Sequence, residues 1–247
     1  MDRKIKIFQD ISEINNFAAK KVVTISKRMI KKTGRFTFAL CGGSTPKSFY
    51  QLLTTDEFRN EIDWENVFFF IGDERDVSPM SDRSNFRMIN EILFQPLEIP
   101  KTNILRWPTE IINAEEVAQN YERALIKNFE LEPNEFPKFD LILLGMGEDG
   151  HTASLFPKSK ALKEETRITT ANYVEKFDSQ RLTFTYPTIN NAANILFLVA
   201  GEEKAATLKE VLEGDENITK YPAQGVHIDS GSFFWLIDKK AGELLSK

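Results

Sequence analysis

Five short hydrophobic runs punctuate the chain, at residues 36–40, 67–71, 139–144, 194–200 and 233–237. Each reads as continuous rather than alternating, as strands covered on both faces of a parallel sheet do. The stretches between them carry helical spacing. Ile14, Phe17, Ala18, Val22, Ile25 and Met29 fall three or four apart, as do Val117, Tyr121 and Leu125, and again Ala205, Leu208 and Leu212. Strands alternating with amphipathic helices predict an α/β fold, a doubly wound, mostly parallel sheet with helices on both faces. Residues 167–185 alternate more and show no intervening helix, which predicts a small antiparallel addition. No internal repeat, low-complexity tract or Pro/Gly-rich linker divides the chain, so one domain is expected over residues 1–247.

In doubly wound folds, ligands bind beyond the carboxyl ends of the strands. Four such ends here run into unusual loops: Cys-Gly-Gly-Ser-Thr-Pro at 41–46, Gly-Asp-Glu-Arg-Asp at 72–76, Gly-Met-Gly-Glu-Asp-Gly-His-Thr at 145–152, and Gly-Glu-Glu-Lys at 201–204. All four are placed to line one crevice.

Composition narrows the chemistry. With 247 residues, 41% hydrophobic and 28% charged, the chain is too apolar for disorder and too charged for a membrane protein. A net charge of -5 gives nucleic acid no general attraction. The N-terminal stretch lacks the apolar core of a signal peptide, and no apolar run approaches the roughly 18 residues of a membrane span, so a soluble cytoplasmic protein is expected. Cys41 is the only cysteine and there are two histidines, which leaves no disulfide and no metal-ligand spacing. Neither metal nor cofactor is expected, and no Walker loop, dinucleotide fingerprint or Gly-x-Ser-x-Gly elbow is present.

Within the loops, Gly42 and Gly43 let backbone approach a ligand closely, Ser44 and Thr45 add hydroxyls, and Pro46 suits a first helical position behind Thr45 as N-cap. Exposed N–H groups at the positive end of a helix make a phosphate seat, although the loop alone reads equally well as an ordinary strand-to-helix turn. Lys204 stands in the first turn of its helix, where the dipole disfavours a cation unless an anion is near, so it is a candidate phosphate clamp or a solvated lysine offset by Glu202 and Glu203. His151 closes a glycine-rich stretch, and an imidazole with an unperturbed pKa of about 6.5 is the natural general base for hydrolysis. Asp149 is placed either to orient it or to cap a helix. His227 reads as structural. The run of Asp73, Glu74, Arg75 and Asp76 has the look of a solvated loop, yet Arg75 at a strand's carboxyl end is suited to polarise a carbonyl or hold a carboxylate. Arg181 is a similar candidate and equally a strand-edge arginine.

Taken together these segments resemble the 6-phosphogluconolactonase family, within the wider group that includes glucosamine-6-phosphate deaminases. The resemblance rests on Gly-Gly-Ser-Thr-Pro-Lys at 42–47, Gly-Asp-Glu-Arg at 72–75, Ser-Asn-Phe-Arg at 84–87, and the long run from Phe139 through Gly-Met-Gly-Glu-Asp-Gly-His-Thr-Ala-Ser-Leu-Phe to Pro157. It continues through Arg-Leu-Thr-Phe-Thr at 181–185, the turn at 201–204 and Tyr-Pro-Ala at 221–223. It implies a sugar-phosphate lactone as substrate, His151 as the base that activates water, Arg75 and Arg181 at the lactone or hydroxyl end, and Ser44, Thr45 and Lys204 on the phosphate. Asp73, with Gly42 and Gly43, joins the expected substrate-binding set. Cys41 stands where the family often has Ser, and Glu148 where it often has Pro. A deaminase would carry an acid shortly after the histidine, which residues 152–157 lack, and tends to an aromatic residue where Arg75 stands. A sugar-phosphate sensor of a transcription regulator would need residues for a DNA-binding module that this net-acidic chain does not have to spare.

Overall fold

A computed structural model describes residues 3–246, so the outermost positions of the expected domain, 1, 2 and 247, lie outside the described residues. The first half of the chain forms β1 (Lys4–Phe8), α1 (Ile11–Thr33), β2 (Phe36–Leu40), α2 (Ser44–Leu53), α3 (Asp56–Arg59), β3 (Val67–Ile71), β4 (Asp73–Arg75), α4 (Asn85–Ile89), β5 (Ile104–Leu105) and α5 (Ala114–Phe129). There follow β6 (Leu141–Gly145), β7 (Thr169–Val174), β8 (Ser179–Phe184), α6 (Tyr186–Asn190), β9 (Asn194–Val199), α7 (Ala205–Glu213) and β10 (Ser232–Asp238). Among the described residues no helix is long and apolar enough to cross a membrane.

Seven strands pair in the order β1-β10-β9-β6-β2-β3-β5, every neighbouring pair parallel. The continuous apolar runs become inner strands because both faces are covered: β2 and β9 are buried at every position. The run at 139–144 enters the sheet only at Leu141, since the Asp140 carboxylate accepts from Thr37 N at 2.8 Å and Thr37 Oγ1 at 2.9 Å. Two edge strands were not expected. β1 alternates Lys with Ile and leaves most of its residues exposed, and lysines on an edge suit a strand with one unpaired side. β5 is two residues long. Helix α1 starts where Asp10 accepts from Ser12 N and Glu13 N and stops at Gly34, whose φ of 80° is costly for any residue with a Cβ.

The expected antiparallel addition is a three-stranded sheet, β4-β8-β7. It includes part of the charged run, so the solvated loop expected at 73–76 is in fact a strand at 73–75, with Asp73 and Glu74 buried. The two sheets join at Gly72, which donates to Leu40 O at 2.8 Å and accepts from Phe184 N at 2.9 Å. An aromatic layer of Trp107, Tyr121, Phe139 and Phe184 fills the junction, and its polar atoms close the end of β3: Trp107 Nε1 donates to Ile71 O at 2.8 Å, and Ile71 N donates to Tyr121 Oη at 3.0 Å. Buried rings of this kind contribute about 3–5 kcal/mol each when measured by truncation.

This order fixes where a ligand can go. From β2 the chain proceeds through β3 towards one edge, and from β6 it proceeds through β9 and β10 towards the other. The loops after β2 and β6 therefore diverge, and the crevice between them is the topological switch point.

Candidate active site

A cleft of about 440 Å³ opens at that point. Gly42, Gly43, Ser44 and Thr45 line it from the loop after β2, Asp73 and Arg75 from β4, Asp149 and His151 from the loop after β6, and Lys204 from the turn after β9. Of the residues singled out in the sequence, only Arg181 is absent from the lining. A larger groove, about 1240 Å³, opens beside it and shares with the cleft only Asp149, of the candidate site residues, and Lys176.

The β2 loop differs in detail from expectation. Helix α2 begins at Ser44 with Gly43 as its N-cap, at a φ of 111°, so Thr45 is not the cap and Pro46 is the third helical residue rather than the first. Only glycine adopts that cap conformation at little cost, and with no side chain on the cap the first N–H groups of α2 keep no capping partner. Thr45 Oγ1 is free to turn towards Lys204 Nζ, which donates to it at 3.4 Å. Burial lowers the Lys204 ammonium, while Glu203, Asp238 and Glu148 work the other way. The loop is anchored from behind by Tyr50, whose hydroxyl donates to Cys41 O at 2.7 Å and accepts from Cys41 N at 3.2 Å. Cys41 is buried, and burial pushes its thiol well above the usual range, so it acts as packing rather than as a nucleophile.

The β6 loop presents His151. Gly147 N donates to His151 O at 2.9 Å, and a Cβ on Gly147 would stand 2.0 Å from the ring, so the glycine makes room for the imidazole. The ring stacks on Phe156 at 4.1 Å, and its Nδ1 lies 2.5 Å from Asp149 Oδ1. No helix follows directly, so of the two roles open to Asp149 the orienting contact is the one observed, not the helix cap. Burial alone would raise the Asp149 carboxyl; the hydrogen bond and charge of His151, with a hydrogen bond from Lys176, outweigh it and hold the group far below the usual carboxylate range. Asp149 therefore stays ionised. With Nδ1 turned to the carboxylate, the ring's other nitrogen is the one directed away from Asp149.

On β4, Arg75 donates through Nη1 to Arg83 O at 2.7 Å and lines the cleft. Arg181 is its direct cross-strand partner. It sits behind, with Nη1 on Ser179 Oγ at 2.9 Å and its guanidinium 5.1 Å from the centre of the Phe177 ring. Burial first, then the charge of Arg75, lowers the Arg181 guanidinium. Asp73 Oδ2 accepts from Ser154 Oγ at 2.9 Å. His227 lies away from the cleft, beside Asn190.

Four contributors escaped the sequence reading. Glu74 is buried but satisfied by four donors, the N–H groups of Arg75, Asn85 and Phe86 and the Ser84 hydroxyl, at 2.7–3.0 Å. It thereby fixes Asn85, which lines the cleft, donates to Asp73 O at 2.8 Å, and occupies the space that a Cβ on Gly42 would need. Tyr50 and Lys176 are the others. The Ser-Asn-Phe-Arg string at 84–87 was the one available signal for this network; nothing in the sequence pointed to the other two.

Comparison with known proteins agrees with the geometry. Residues 9–235 match the family model described as glucosamine-6-phosphate isomerases/6-phosphogluconolactonase. The chain is 42% identical to a 6-phosphogluconolactonase of Synechocystis over 91% of this chain and 90% of that one, and 37% identical to one of Nostoc over the whole of both. A crystal structure of 6-phosphogluconolactonase from Thermotoga maritima superposes with a TM-score of 0.81 at 30% identity, covering 96% of this chain and all of that one. The chain belongs to the glucosamine-6-phosphate isomerase/6-phosphogluconolactonase family. Its full-length relatives place it in the 6-phosphogluconolactonase branch.

Proposed function

We propose that the protein hydrolyses 6-phospho-D-glucono-1,5-lactone to 6-phospho-D-gluconate, the lactone-opening step of the oxidative pentose phosphate pathway, with His151 as general base. The supporting observation is that an ionised Asp149, a histidine held by it, and a half-buried lysine against Thr45 all face one cleft.

In this reading the phosphate rests on the start of α2, met by the N–H groups of Ser44 and Thr45, their hydroxyls and the Lys204 ammonium. Gly42 and Gly43 allow the backbone to approach. The lactone carbonyl then lies towards His151. Water adds to C1 while the ring nitrogen that does not face Asp149 takes its proton, and Asp149 stabilises the imidazolium that forms. Negative charge develops on the carbonyl oxygen, and Arg75, one of the cations lining the cleft, is the donor assigned to it; one donor aimed at such charge is typically worth about 2.7–4 kcal/mol. Collapse breaks the bond between C1 and the ring oxygen, and the imidazolium returns its proton to that oxygen as it leaves. Arg181 supports the reacting end from behind Arg75. Asp73, locked by Ser154, shapes the wall beside it.

The purified protein would be offered freshly prepared 6-phosphogluconolactone and, separately, glucosamine 6-phosphate, following acid and ammonia release. Acid release from the lactone alone is the expected result; ammonia release without lactone hydrolysis would overturn the reading.

A further inference from the structure

The cleft contains one cation with no part in the chemistry above. Lys176 lies in the turn between β7 and β8, formed by Glu175–Phe177 and closed by Asp178 at a φ of 43°. Its Nζ donates to Asp149 Oδ2 at 3.1 Å, while Oδ1 of the same carboxylate faces His151 Nδ1. The two oxygens thus have different partners, a lysine on one side and the imidazole on the other. The turn touches the histidine by a second route as well: Phe177 meets Phe156 edge-on at 5.6 Å, and Phe156 is the ring stacked on His151.

We propose that Lys176 is a positioning residue, holding the Asp149 carboxylate in one rotamer so that it fixes the His151 tautomer and leaves the outer ring nitrogen free for water. A carboxylate tied at one oxygen cannot swing freely about its χ2, a torsion that is otherwise broad. Within the loop the His151 N–H also donates to Asp149 Oδ1, at 3.3 Å, so Lys176 is the partner that holds the other oxygen, Oδ2. Lys176 is exposed over much of its length, which limits its effect to the range of a solvent-screened ion pair.

The inference rests on the hydrolytic reading, and its test separates the two. Lys176→Met should lower kcat on the phosphorylated lactone about two- to fivefold with KM little changed, and Lys176→Arg should restore it. In an Asp149→Asn background the Lys176→Met change should have no further effect, because the group it acts through has lost its charge. Independently, the nitrogen spectrum of the neutral His151 ring should show a dominant Nδ1–H tautomer in the native protein and a mixture in Lys176→Met. A loss that persists in the Asp149→Asn background, a rise in KM at constant kcat, or an unchanged tautomer with unchanged kcat would overturn the proposal. Absence of lactone hydrolysis by the native protein would instead overturn the reading beneath it.

Discussion

Substituting Gly147 by alanine probes the site without removing any functional group. The backbone at Gly147 is not left-handed, so alanine brings no conformational penalty of that kind. The new Cβ would instead stand 2.0 Å from His151 Cε1, 2.1 Å from Nδ1 and 3.0 Å from Asp149 Oδ1. Ordinary contact begins near 3.4 Å, so the ring has to recede by more than an ångström. Phe156 stacked at 4.1 Å and Asp149 at 2.5 Å both resist that movement. A displacement of about 1 Å in a reacting group costs on the order of 10²-fold in rate, close to 2.7 kcal/mol. The Gly147→Ala variant should therefore lose about 10²-fold in kcat while KM, which the proposed phosphate contacts of Thr45 and Lys204 would set, changes little. Initial rates of acid release would be measured over a substrate range, with thermal unfolding of both proteins as a control for folding. A folded Gly147→Ala enzyme with native kcat would refute the placement of His151 at the reacting carbon.

His151→Ala should lower kcat by roughly 10²- to 10⁴-fold, the usual range for a lost general base, and a near-native kcat in the folded variant would reassign that role. Lys204→Ala should raise KM for the phosphorylated lactone by the equivalent of about 1.5–3 kcal/mol, the range for hydrogen bonds to charged groups. The same variant should barely alter hydrolysis of unphosphorylated gluconolactone, and equal losses on both substrates at matched salt would remove Lys204 from the phosphate seat. Cys41, buried and with its thiol pushed upward, should resist iodoacetamide at pH 8 in the folded protein and react on unfolding. Rapid labelling of the native enzyme would show that the loop after β2 opens.

What was legible in the sequence was whatever local chemistry decides. The inner parallel strands announced themselves because burial on both faces leaves few polar positions, and α1 was marked by the three- and four-residue spacing of its apolar side chains. The loops at the strand ends stood out because glycines, hydroxyls and a lone histidine have little local structural reason to cluster there, and nine of the ten residues singled out line one cleft.

Contacts between distant segments were decided only by the tertiary structure. Strand β1 pairs as an edge with a chain end more than 200 residues away, and no local pattern encodes that partner. The charged run at 73–76 looked solvated, yet 73–75 is a strand with Asp73 and Glu74 buried, because Ser84, Asn85 and Phe86 return to bond Glu74. Thr45 lost its expected cap position to Gly43, since the path the loop takes into α2 is set by Asn85 packed on Gly42 and by Tyr50 reaching back to Cys41. Lys176 was invisible because its significance lies in reaching an aspartate 27 residues earlier in the chain. A sequence shows which residues are out of place for structure alone; which of their atoms meet is decided by side chains whose partners come from other parts of the chain.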